Sequence, residues 1–276
     1  MRFGALALSS SKANSKERKE GIKKRGVFTV DSENTNTAVI SYENPISKTF
    51  KKNEIYRSVQ FKGYTDSDGY LLQHFGPSQE NLVAHYPLGY TTKDESGFGN
   101  HGTLGGIPTM GCEGVNGVST SFDGTDDYID LGTSISSTLN NNSFTISTWL
   151  YPTNTNTDTI WFSHGQNGVT NASMHLRMNT NNTLRLAFYF NDLDTTNTIS
   201  DNTWSHITYT YNSSDKYRAV YINGSLSNND TSTANYNSGG SHNANIGRWG
   251  ASTSEYFKGS IDDVRIYNTV LTPLEI

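Results

Sequence analysis

Phe144-Thr-Ile-Ser-Thr-Trp149-Leu-Tyr151 alternates along its length: Phe144, Ile146 and Leu150 share one face of an extended chain, and Thr145, Ser147 and Trp149 share the other. A period of two is the mark of a half-buried β-strand, because successive side chains point to opposite sides of the pleat. The same period runs through Leu184, Leu186, Phe188 and Phe190, and again through Ile207, Tyr209 and Tyr211. Ala219 to Ile222 leads into Asn223-Gly224, a dipeptide that tolerates the two positive φ angles of a type I′ hairpin turn. Short strands with turn signals every ~8–12 residues, and no helical period between them, predict an all-β fold of two packed antiparallel sheets.

Composition supports this. The chain has 276 residues, 17% of them charged, and carries 32 Ser, 33 Thr and 30 Asn, so its polar surface is made of hydroxyls and amides. Mean hydropathy is -0.60, yet 12 Phe, 16 Tyr and 4 Trp supply the large apolar area that a packed core needs. No stretch approaches the ~18 apolar residues of a membrane span, and the most apolar run, Leu184 to Phe190, contains Arg185. Cys112 is the sole cysteine, which excludes an intrachain disulfide. The N-terminal apolar run Phe3 to Leu8 falls short of the ~7–15-residue core of a secretory signal, so no convincing signal peptide is present.

The net charge of -5 hides an asymmetry. Residues 1–26 hold Arg2, Lys12, Lys16, Arg18, Lys19, Lys23, Lys24 and Arg25 against Glu17 and Glu20. A basic, flexible arm over 1–26 is expected, and it is the one part suited to nucleic acid or an anionic surface. Residues 27–80 read as a small β-rich segment, with short alternating runs at VFTV, TAVISY and YRSVQF and a turn at Asp66 to Gly69.

Beyond about Leu82 an ordered set of motifs resembles a known family. These are LVAHYPLG; Asp94-Glu-Ser-Gly-Phe-Gly-Asn-His-Gly102; Ser121-Phe-Asp-Gly-Thr-Asp-Asp-Tyr-Ile-Asp-Leu131; and Phe144-Thr-Ile-Ser-Thr-Trp149. Trp204-Ser-His-Ile-Thr208, Tyr221-Ile-Asn-Gly224, Phe257-Lys-Gly-Ser-Ile-Asp-Asp-Val-Arg-Ile-Tyr267 and Leu271-Thr-Pro-Leu-Glu-Ile276 follow. In this order they resemble the laminin-G-like jelly rolls of the concanavalin A-like lectin/glucanase superfamily. The resemblance implies a jelly-roll sandwich over 81–276, with its first strand beside the Ile261 to Tyr267 strand.

The superfamily contains glycan hydrolases, which need two carboxylates across the scissile bond. Here no Glu occurs between Glu113 and Glu255, and no Gly-x-Ser-x-Gly elbow is present, so a non-catalytic protein is expected. The resemblance implies a structural calcium held by Asp94, Asn100 and Asp262, together with backbone oxygens of the Gly-rich loop, consistent with the hard oxygen ligands that Ca²⁺ requires. The alternative is that Asp94 and Asn100 make turn hydrogen bonds. Asp123, Asp126, Asp127 and Asp130 form a second acidic cluster, read as a turn first and a metal site second. The seven histidines show no zinc spacing.

Trp149 and Trp204 occupy positions that the resemblance implies are buried. Trp161, Arg248, Trp249 and Tyr256 are the candidate ligand platform, aromatic faces beside a hydrogen-bonding cation; the alternative places them in the core or at a sheet edge. The function expected is a glycan- or glycoprotein-binding recognition or adhesion module, extracellular or at a cell surface. The alternative is a virus or phage structural protein with an exposed jelly roll that contacts assembly partners.

Overall fold

The computed structural model describes residues 81–153, 158–250 and 255–276 in full, and the backbone of five strands between 27 and 72. The chain divides into two units, 1–78 and 79–274. In the first, β1 (Val27–Val30), β2 (Thr37–Ser41) and β3 (Lys48–Lys51) form an antiparallel sheet, and β4 (Tyr64–Thr65) pairs with β5 (Leu71–Leu72). Two of the expected strands, VFTV and TAVIS, are present; the basic arm and the YRSVQF run lie outside the described residues.

The second unit is a two-sheet antiparallel sandwich. Its strands are β6 (Leu82–Tyr86), β7 (Thr103–Gly105), β8 (Thr109–Glu113), β9 (Val118–Asp123), β10 (Tyr128–Asp130), β11 (Phe144–Pro152), β12 (Thr159–Gly165) and β13 (Ser173–Met178). They continue as β14 (Thr183–Ala187), β15 (Asp192–Thr198), β16 (Ser205–Tyr211), β17 (Tyr217–Ile222), β18 (Ser225–Thr231), β19 (Ala244–Ile246) and β20 (Lys258–Tyr267). One sheet runs β15-β14-β13-β12-β19-β10-β7; the other runs β18-β17-β16-β11-β20-β9-β8, with β6 also paired to β20.

The expected alternation is realised strand by strand. Phe144, Ile146 and Leu150 of β11 and Ile207, Tyr209 and Tyr211 of β16 are buried in one core with Met174, Leu176, Leu184, Leu186 and Phe188 of the opposing sheet. Each such side chain contributes about 1.5–3 kcal/mol by leaving water. Asn223 and Gly224 have φ of 51° and 76° between β17 and β18, the type I′ geometry their sequence predicts. β6 and β20 are antiparallel neighbours, with Val264 opposite Tyr86 and Ile266 opposite Ala84, so the start and end of the sandwich are joined.

One expected position differs. Phe190 does not follow Leu184, Leu186 and Phe188 into the core; it is 81% exposed. β14 ends at Ala187 and β15 begins at Asp192, so a hairpin turn interrupts the alternation before Phe190 is reached.

Candidate functional site

Pleating divides β13 between two environments. Met174, Leu176 and Met178 enter the core, and Ser173, His175 and Arg177 face outward. Arg177 stands opposite Arg185 of β14, so two guanidinium groups share the outer face. Both are neutralised locally. Arg185 donates Nε to Asp194 Oδ1 at 2.6 Å and a terminal nitrogen to Asp194 Oδ2 at 2.7 Å, with Asp192 at 3.3 Å. Arg177 bridges Asp158 and Glu255, each at 3.0 Å.

Beside these pairs lies a group of aromatic rings. Trp249 stacks on Tyr189 with centroids 5.8 Å apart and planes 25° apart. His175 lies beneath both rings, 5.5 Å from Trp249 and 6.4 Å from Tyr189. Phe190 meets Tyr189 edge to face at 4.6 Å. Burial, with Arg177 and Arg185 adding to it, pushes the His175 imidazole down to about 3, so the floor of the group is neutral at physiological pH. The loop carrying Trp249 is anchored from below: Ser163 Oγ donates to the Arg248 carbonyl at 2.8 Å and accepts the Gly250 N–H at 2.9 Å. Trp249 Nε1 donates to Ser173 Oγ at 3.2 Å. Asn167, exposed, rests its side-chain amide against Gly250.

The ligand residues expected from sequence separate. Arg248 and Tyr256 form an antiparallel bridge, and Trp249 lies in the same loop. Arg248 itself turns away from Trp249, its guanidinium 3.4 Å above the Tyr128 ring and bonded to Asn245 Oδ1 at 3.0 Å. Trp161 is corrected. It is fully buried against Phe162 and Tyr209 and presents no face to a ligand. The cause is a bulge in β12 between Ile160 and Phe162, which turns the consecutive residues Trp161 and Phe162 into one core, something a regular strand cannot do. Trp149 and Trp204, expected to be buried, are half-buried on the outer face of the other sheet, where they pair with His206 and Tyr151. Sequence reasoning missed Tyr189 and Phe190, because Phe-Tyr-Phe carries no turn signal.

Asp94 and Asn100 are brought together, and Asp262 is engaged elsewhere. Asp94 accepts the N–H groups of His85 (2.9 Å), Ser96 (2.8 Å) and Asn100 (2.9 Å) and the Ser96 hydroxyl (2.8 Å). Burial works against its charge, but these donors hold its carboxyl below the usual range. The Asn100 side chain donates to the Val83 carbonyl at 2.9 Å. Asp262 Oδ2 accepts the N–H groups of Val115 and Asn116 at 2.7 and 2.8 Å, while its buried Oδ1 has no hydrogen-bond partner. Four donors occupy the ~4 lone-pair positions of the Asp94 carboxylate, so Asp94 as arranged does not fit a calcium ligand. In the second acidic cluster, ligand oxygens of Asp123, Asp126 and Asp127 lie within 4.8 Å of one another and could hold a metal ion. Asp127 there accepts the Ile107 and Asp123 N–H groups at 2.8 and 2.9 Å, a turn role.

Among solved structures, the chain is similar to domain 4 of AbnA, an extracellular GH43 arabinanase from Geobacillus stearothermophilus solved with arabinotriose. Identity is 23%, TM-score 0.55, and the match covers 71% of this chain and 96% of that one. The binding domain of Paraclostridial Mosquitocidal Protein 1 matches at 20% identity and TM-score 0.57 over 71% of this chain and 51% of that one. Botulinum neurotoxin type C, whose cell entry depends on two ganglioside molecules, matches at 15% identity and TM-score 0.53 over 71% of this chain and 49% of that one. The chain thus spans about half the length of these two toxin chains. No curated protein matches the sequence. The Laminin_G_3 family model, described as the concanavalin A-like lectin/glucanases superfamily, matches residues 123–276. With more than half of its length matched, the chain belongs to this laminin-G-like family of the concanavalin A-like lectin/glucanase superfamily.

Proposed function

We propose that this protein is a non-catalytic recognition module that binds glycans, free or on glycoproteins, across the outer face of its seven-stranded sheet. The Trp249–Tyr189 stack carries the reading. An aromatic shelf over a neutral floor suits the C–H face of a sugar ring, and the exposed amide of Asn167 against Gly250 suits the hydroxyls. Trp249, Tyr189 and Phe190 are the contact residues; Arg248 and Tyr256 position the loop. The similarity to an arabinanase domain solved with arabinotriose supports the ligand class.

A hydrolytic role is disfavoured by the absence of any Glu between Glu113 and Glu255, whereas hydrolysis needs two carboxylates across the scissile bond; on this face Asp158 and Glu255 are both paired with Arg177. The superfamily also includes glucanases. An extracellular or cell-surface setting follows from glycan binding, and adhesion is one use of it. No helix among the described residues is long and apolar enough to cross a membrane. The virion alternative draws on the short N-terminal apolar run, the single cysteine and the basic arm; the arm lies outside the described residues. Screening the full chain on a glycan array, followed by Trp249→Ala, tests the reading; binding that survives this change unaltered would place the ligand elsewhere.

A further inference from the structure

The connection between β14 and β15 contains an unusual turn. Phe188 N–H donates to the Asn191 carbonyl at 3.0 Å, and the two residues between them, Tyr189 and Phe190, have φ of 54° and 58°. This is the left-handed region that a two-residue hairpin requires, normally filled by Asn and Gly because a Cβ crowds the following carbonyl. Two bulky aromatic residues here oppose the local preference, and such strain persists only where the surroundings impose it.

The surroundings do so. Asn171 N–H donates to the Phe188 carbonyl at 2.6 Å. The fully buried Arg218 donates to the Asn191 carbonyl at 2.7 Å, lies 5.1 Å over the Phe188 ring, and is fixed by two bonds to Asp230. The Asn191 side chain bonds Asn171 Oδ1 at 2.6 Å and Ser232 Oγ at 2.8 Å. The clamp holds Tyr189 against Trp249 and leaves Phe190 in solvent. An exposed phenyl on a strained, clamped turn gains the fold nothing by burial.

We infer that Phe190 is a preformed ligand contact, held out beside the Trp249–Tyr189 shelf by the Arg218–Asn191 clamp, and that the ligand it meets is an uncharged saccharide; this rests on the glycan reading above. The absence of charge follows from the neighbourhood: both arginines of this face are already paired, His175 is neutral, and the adjoining loop 166–171 carries amides, a hydroxyl and no ionised group.

The test measures thermal midpoint and binding of the full chain to arabinotriose and to a panel of neutral and sialylated oligosaccharides. Phe190→Asn and Phe190→Gly accept the left-handed conformation, so each raises the midpoint, by roughly 2 °C or more for Asn, and weakens binding of neutral saccharides at least tenfold. Stability and binding move in opposite directions, which loss of a merely structural residue does not produce. Arg218→Lys lowers the midpoint less in the Phe190→Gly background than in the native one, since a relaxed turn needs less clamping; equal losses would remove Arg218 from the role. Unchanged binding in both Phe190 variants, or preference for sialylated sugars, overturns the inference. If Trp249→Ala abolishes binding while both Phe190 variants bind normally, the glycan reading stands and this one fails. If the native chain binds none of the sugars, both fail.

Discussion

Asp94 Oδ2 accepts the backbone N–H of Asn100 at 2.9 Å, so two residues expected to share a cation are bonded to each other. With His85 and Ser96 supplying the remaining donors, the carboxylate acts as a staple between the Gly-rich loop and β6. Asp262, the third expected ligand, performs a similar service for the turn between β8 and β9.

Asp94→Ala therefore strands several N–H donors and lowers stability by roughly 3 kcal/mol. Denaturant unfolding measures the loss. Any difference in thermal midpoint between calcium and chelator is expected to be the same in Asp94→Ala as in the native chain, because an ion held by other residues stabilises both alike. A calcium-dependent rise that disappears in Asp94→Ala would restore the metal site.

Trp161 and Trp249 separate stability from recognition. Trp161→Ala empties a fully buried site and costs about 3–5 kcal/mol. Trp249→Ala removes a half-buried ring whose stacking is worth about 0.5–1.5 kcal/mol, and its effect falls on ligand binding. Paired measurements of unfolding and glycan affinity check this; a larger stability loss from Trp249→Ala than from Trp161→Ala would contradict it.

Acid sensitivity should come from three histidines that burial holds neutral, of which His206 is pushed down to about 4. His164, bonded on its two ring nitrogens to Tyr236 and Ser136, is pushed down to about 4 by burial, with the nearby His242 adding to the shift. His175 is pushed down to about 3. Their folded values lie below the ordinary 6.5, so the unfolded chain binds the extra protons. The stabilisation is full above about pH 6.5 and is lost as the pH falls toward 4, by at most about 1.4 kcal/mol per pH unit for each histidine. His175→Gln should flatten the slope of stability against pH over that window; an unchanged slope would exclude its contribution.

Gly259 in β20 has φ of +138°, and a Cβ there would meet the Tyr151 carbonyl and come within 2.9 Å of Pro152 Cα. Gly259→Ala is expected to cost more than about 2 kcal/mol, through backbone strain and steric overlap together. Gly117→Ala, at φ +98° with open space around it, carries only the conformational cost of about 1–2 kcal/mol. Chemical denaturation of the two variants should rank them in that order.

The sequence by itself determined the all-β sandwich. The period of two in Phe144 to Leu150 and Ile207 to Tyr211 places those side chains in the core, and Asn223-Gly224 specifies its own turn, because pleating and turn chemistry act between near neighbours in the chain. The resemblance that the motif order carries implied the first strand beside Ile261 to Tyr267, and β6 pairs with β20 there. Only the tertiary structure assembled the candidate site. Tyr189 and Trp249 meet because the β14–β15 turn and the loop after β19 converge over β13, and no periodicity encodes that approach. The β12 bulge that buries Trp161 is a register shift against β13, and the donors that fill Asp94 are mostly backbone N–H groups, which every residue but proline possesses. Phe190 shows the limit most directly: its strand pattern placed it in the core, and a turn enforced by Arg218 and Asn191 put it in solvent.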